Sequence, residues 1–116
     1  METVDLEMMA VLLAPDARWG APQQEVPTCR SAREILAWYE LARDNGVRAE
    51  ITEIGVVGDN ILVGLKVRSD PDKMLNVATR WQVLSVRDGL VAEIRGYERR
   101  HDAMTFATSG VSHWSD

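Results

Sequence analysis

The sequence is poor in the residues that usually announce chemistry. It holds one cysteine, one phenylalanine and two histidines in 116 residues. The lone Cys29 excludes an internal disulfide and suits a reducing compartment. His101 and His113 form no metal-ligand spacing with each other or with Cys29, so no metal is expected. Glycines fall singly at turns, so no phosphate-cradling loop is read and no cofactor is implied. Positive charge is also short: 13 Lys and Arg face 18 Asp and Glu, a net charge of −5. Duplex nucleic acid is a poor partner for such a chain. No apolar run approaches a membrane span, and Glu2 and Asp5 spoil the basic start of a signal peptide. These absences point to a cytoplasmic chain without a membrane partner.

What is present is the length and composition of one soluble domain: 13.0 kDa, 46% hydrophobic and 27% charged. No repeat or compositional break marks a second domain. Val4 to Leu13 reads as a short helix stopped by Pro15, followed by a brief strand at Ala17-Arg18-Trp19. Ser31 with Glu34 forms a capping box, and Ile35, Trp38, Tyr39 and Ala42 recur at helical spacing before Asn45-Gly46. The period then changes to two. Glu50 to Val57 and Ile61 to Val67 flank Gly58-Asp59-Asn60, and Val77 to Val86 and Leu90 to Tyr97 flank Asp88-Gly89. Asp70-Pro71-Asp72 separates the hairpins. Residues 99–104 suit a final helical turn, and 105–116 a flexible tail, leaving a single domain over 1–104. Helices first and an antiparallel meander afterwards define an α+β domain.

Counting outward from the turns assigns faces. A loop of Asp88 and Gly89 pairs Val83 with Ile94 and Trp81 with Gly96. One face then carries Thr79, Trp81, Val83, Ser85, Ala92, Ile94 and Gly96, and the other Arg80, Gln82, Leu84, Glu93, Arg95 and Tyr97. In the first hairpin Thr52, Ile54, Val56, Val63, Leu65 and Val67 share the apolar face, with Glu53 and Lys66 opposite as an exposed ion pair.

The wording of several segments resembles a known family. Leu12-Leu13-Ala14-Pro15-Asp16-Ala17-Arg18-Trp19 is similar to the "LAPDAxW" opening of SnoaL-like proteins. Those proteins belong to the nuclear-transport-factor-2-like group, with ketosteroid isomerases and limonene-epoxide hydrolases. Val86-Arg87-Asp88-Gly89-Leu90-Val91 resembles their "VrDGkI" hairpin, and Gly96-Tyr97-Glu98-Arg99-Arg100 with Ala103-Met104 their "gYxxRxxAl" close. The likeness spans about residues 10–106. It implies a cone: a curved antiparallel sheet wrapped around a long helix, enclosing an apolar pocket, here with a shortened N-terminal helical part. It also implies a homodimer packed through the outer sheet face.

The catalytic patterns of that group match poorly. The isomerase base position falls on Ala21. Arg68-Ser69-Asp70 spells the Arg-x-Asp element of the epoxide hydrolases, but their second aspartate falls on Gly96. The competing reading makes Arg68 a solvent residue at a strand end. Paired with Gly96, the Trp81 indole would fill the space of the missing acid. Glu98 is inward by parity and is the one weak catalytic candidate, with a solvent-facing charge as the alternative.

The expected pocket is therefore Trp19, Trp38, Thr52, Ile54, Val63, Leu65, Trp81, Val83 and Ile94, and the expected dimer face Arg80, Gln82, Leu84, Arg95 and Tyr97. The function expected is binding of a small apolar ligand without an intact known catalytic set. The alternatives are an isomerase, cyclase or epoxide hydrolase with a relocated acid, or a dimerisation module. Were Trp81 on the opposite face, Arg80 and Gln82 would line the cone and an anionic or hydrogen-bonding ligand would fit better.

Overall fold

The computed structural model describes residues 11–20, 28–69 and 76–109. Its elements are β1 (Leu13–Gly20), α1 (Ala32–Asp44), β2 (Arg48–Val57), β3 (Asn60–Ser69), β4 (Asn76–Arg87), β5 (Leu90–Tyr97) and α2 (Arg100–Ser109). The strands form one curved sheet in the order β1-β5-β4-β3-β2. β2 to β5 are the antiparallel meander expected, and β1 adds to β5 in parallel, which makes the sheet mixed. The α+β cone architecture stands. The shortened N-terminal part, Ala21, the Asp70-Pro71-Asp72 break and His113 lie outside the described residues.

Local chemistry accounts for the elements. Ser31 caps α1 by accepting the Glu34 N–H at 3.1 Å, and the Glu34 carboxylate accepts the Arg30 N–H at 2.8 Å. At the other end the Asn45 N–H reaches the carbonyls of Leu41 and Ala42, and Gly46 takes the left-handed conformation at φ 88°. Asp88 and Gly89, at φ 55° and 80°, make the tight turn between β4 and β5. β1 begins at Leu13, earlier than Pro15 suggests. It is an edge strand with an irregular pairing between Leu13 and Arg18, so Pro15 interrupts no ladder there. α2 runs to Ser109, five residues beyond the expected end of order, because Ala103 and Ala107 both pack against the sheet.

Two bulges decide which side chains share a face. Arg87 pairs with Leu90 as expected, but the register slips between Ser85 and Val86, with Ala92 as the extra residue. Beyond it Leu84 pairs with Ile94, Val83 with Arg95, Gln82 with Gly96 and Trp81 with Tyr97. A second slip at Thr52 separates that residue from Ile54, while Ile54 pairs with Val63 and keeps the face expected for both. The expected pairs Val83–Ile94 and Trp81–Gly96 are thus replaced. Counting from a turn cannot register an inserted residue, and each bulge reverses every assignment past it.

The sheet is covered on both faces. On one, Ile94 packs with Leu13, Ala14, Ala17, Cys29 and Ile35, bringing α1 onto β1 and β5. On the other, Leu62 and Val83 pack against Ala103 and Ala107 of α2. Ile35, Leu62 and Val83 are completely enclosed, and each such side chain contributes roughly 1.5–3 kcal/mol.

Candidate functional site

The α1 face of the sheet holds a group of aromatic and polar side chains around an opening. Parallel pairing aligns Trp19 of β1 with Ile94 of β5. Trp19 is fixed there by two backbone hydrogen bonds with Cys29, at 3.0 and 3.1 Å. Its ring lies 5.6 Å from Trp38 and 6.5 Å, edge-on, from Tyr39. Gln82 donates from Nε2 to the Tyr39 hydroxyl at 3.3 Å. Across from Gln82 stands Gly96, where an added Cβ would meet nothing within 4 Å. The space above Gly96 is therefore open, with Gln82 paired to it, Tyr39 bonded to Gln82, and Trp19 edge-on to Tyr39 on the same face.

Two of the polar groups here have a proton to give. Trp19 Nε1 is buried and has no hydrogen-bond partner. Burial pushes the Tyr39 hydroxyl pKa up, against the smaller opposing effect of the Gln82 hydrogen bond, so the phenol keeps its proton. Because Gln82 already donates to that oxygen, the Tyr39 proton is directed elsewhere. Arg80 follows Gln82 on the same face of β4. Among the described residues, no Asp, Glu or His occupies an α1-face position of the strands from Ala49 to Gly96. The niche can receive a hydrogen-bond acceptor, and its strand wall offers no carboxylate for proton transfer.

The residues expected to form one pocket are divided between the faces. Trp19, Trp38, Ile54, Val63, Leu65 and Ile94 belong to the α1 side, whereas Thr52, Trp81 and Val83 belong to the α2 side. Ile54 is 65% exposed on the edge strand. Trp81 does not cover Gly96. Its indole lies over Gly64, so closely that a Cβ there would sit 2.6 Å from Cζ3. The expected dimer face is divided as well: Arg80, Gln82 and Leu84 share the α1 side, while Arg95 and Tyr97 lie beneath α2. Glu98 is exposed in the bend after β5. Sequence reasoning found Tyr39 as a helix-face residue but missed its partnership with Gln82, which the Ala92 bulge creates.

The α2 face is polar where it holds that helix. Arg95, 6% exposed, pairs with Glu93 at 3.4 Å and lies 5.0 Å over the Phe106 ring. Tyr97 sits 6.0 Å from the same ring, and burial pushes its hydroxyl to about 12. Asn60 donates to the Ala107 carbonyl at 3.0 Å. Glu53, expected beside Lys66, instead accepts a bidentate pair of bonds from Arg100 at 2.7 and 3.1 Å. The Arg100 hydrogen bonds hold the Glu53 carboxyl below its usual range. These contacts moor α2 on the sheet. Among the described residues no group of ligands could hold a metal. No helix there is long and apolar enough to cross a membrane.

Comparison with known proteins fits this architecture. Residues 1–94 match the SnoaL-like domain family. The chain belongs to that family. No curated protein matches this SnoaL-like domain. Among solved structures, it is similar to a protein described as a SnoaL-like polyketide cyclase from Jannaschia sp. CCS1. That match has 15% identity over 92% of this chain and 80% of the other, with a TM-score of 0.64. A protein described as a polyketide cyclase from Sinorhizobium meliloti shares 24% identity over 80% and 82% of the chains, at a TM-score of 0.62. An epoxide hydrolase of the limonene-epoxide-hydrolase-like type from M. tuberculosis shares 17% over 86% and 74%, at 0.64. At these identities the likeness concerns the fold alone.

Proposed function

We propose that this SnoaL-like domain binds a small, largely apolar molecule in the niche between α1 and the sheet. The ligand carries at least one hydrogen-bond acceptor, turned toward Trp19 and Tyr39. The observation that carries the reading is the open space over Gly96 on the same sheet face as a buried indole N–H that has no partner. An unpaired buried donor is unfavourable on its own, and an acceptor on a ligand would relieve it. The family relationship supports a ligand-binding or cyclase-type domain, and strand positions that carry no carboxylate or imidazole on this face favour binding over acid–base chemistry. An enzyme relying on Glu98 is less favoured, because that carboxylate stands in solvent beyond the end of β5.

The test uses anilinonaphthalene sulfonate, a flat apolar probe with an anionic acceptor, followed by its own fluorescence and by quenching of tryptophan. Saturable binding is expected in the native chain. Gly96→Leu should fill the niche and abolish binding while the protein stays folded, since no atom obstructs the new side chain's first carbon. Equal binding by Gly96→Leu and the parent would refute the location.

A further inference from the structure

A second site is suggested at the far end of the α2 face, beyond the first residue of that helix. There β2 begins and β3 ends, and Arg48 is paired directly with Arg68. Like charges in opposed positions of an antiparallel pair repel, so this pairing is unfavourable unless something neutralises it. The next pair on the same face is Glu50 with Lys66, giving three cations to one carboxylate among the described residues there, in a chain whose net charge is −5. The next carboxylate along, Glu53, is already engaged by Arg100. Among the described residues none of Arg48, Glu50, Lys66 and Arg68 takes part in an ion pair within 4.0 Å.

Arg68 is the informative member. Arg48 is anchored, donating to the carbonyls of Arg43 at 2.8 Å and Val47 at 2.9 Å, which fixes its position at the C-terminal end of α1. Arg68 donates to no described acceptor, and its Nε is buried. Arg68 is half-buried, and its Nε–H, shut off from water without an acceptor, is unfavourable while the rest of the fork stays reachable. It is therefore only partly the solvent residue that a strand-end position suggests.

We infer that Lys66 and Arg68, at neighbouring same-face positions of β3, form a binding site for a compact oxyanion, a phosphate or a carboxylate, held by the fork of Arg68 with the Arg48 charge at its edge. Both anions present paired oxygens that a guanidinium can grip in two places. The site lies on the opposite face of the sheet from the Gly96 niche and does not depend on it.

The experiment is a thermal-melt titration of the full chain with inorganic phosphate and, separately, with acetate, at ionic strength held constant with sodium chloride. A ligand that binds the folded state raises its melting temperature saturably. Phosphate should do so in the native chain and in Arg80→Gln, whose residue lies on the other face. Half-saturation should be about tenfold weaker in Arg68→Gln and in Lys66→Gln, each lacking one charge-assisted contact. Arg48→Gln, altered at an exposed position, gives the same reading should Arg68→Gln fold poorly. A matching response to acetate assigns the site to carboxylates as well, and a response to phosphate alone restricts it to phosphates. No saturable rise with either anion, or an undiminished rise in the variants lacking these cations, overturns the proposal.

Discussion

Two glycines, Gly64 and Gly96, should respond oppositely to the same alanine substitution. Gly64 pairs with Trp81, and the indole lies over it. A Cβ at Gly64 would stand 2.6 Å from Cζ3 and 3.1 Å from both Cε3 and the Thr52 hydroxyl. The first separation is about 0.8 Å short of ordinary contact, so the ring must move. The ring also carries the Arg100 guanidinium, 5.7 Å from its centre, and displacement would disturb the grip of Arg100 on Glu53. Overpacking of this kind destabilises by roughly 1–3 kcal/mol. In a chain of this size that lowers the melting temperature by roughly 3–15 °C. Gly96→Ala meets no atom and removes a flexible residue from a strand, so stability should hold or rise by up to about 1 kcal/mol. Urea denaturation of the two variants measures the difference. If Gly96→Ala proves the more damaging, the indole covers Gly96 after all, as counting from the Asp88-Gly89 turn predicts, and the bulge at Ala92 is wrong.

Three further outcomes follow from the buried groups. The Tyr97 hydroxyl is pushed from 10.0 to about 12, chiefly by burial. The folded state therefore holds its proton after the unfolded chain has lost it. Stability should be intact below pH 10 and fall as pH rises toward 12, a dependence that Tyr97→Phe should flatten in alkaline urea titrations. Cys29 is 4% exposed, and burial, with a smaller effect from Glu34, raises its thiol pKa, so alkylation should be slow until the chain unfolds. Rapid labelling under native conditions would contradict that packing. Arg95→Glu breaks an enclosed pair and should destabilise by about 3–5 kcal/mol in chemical denaturation. A variant of undiminished stability that only changes the mass found by light scattering would restore Arg95 to the dimer surface expected from the sequence.

Much of this fold is readable from short-range chemistry. The capping box at Ser31, the stop at Asn45-Gly46 and the two glycine-bearing turns locate α1 and both hairpins, because each depends on residues within a few positions. Face assignment depends instead on an unbroken count along each strand. That count fails at Thr52 and Ala92. Neither is marked by composition, since β3 to β5 carry apolar residues at both parities, as at Leu62 and Val63 or Val83 and Leu84. With a helix on each face, both parities are buried, and alternation no longer identifies a single inner side. Arg95 shows the same limit: its charge suggests solvent, yet it lies under Phe106. The niche was legible only as the consequence of Trp81 facing away, with Gln82 and Arg80 brought to the helix side.

The central claim is that an acceptor-bearing ligand occupies the space over Gly96 and meets the Trp19 indole. Nuclear magnetic resonance of nitrogen-labelled protein resolves the indole N–H signals, and Trp19→Phe identifies the one from Trp19. Titration with anilinonaphthalene sulfonate should move that signal downfield saturably, with the midpoint given by probe fluorescence, and should leave the Trp81 signal in place. Saturable binding that leaves the Trp19 signal unmoved, or shifts Trp81 instead, would contradict the account.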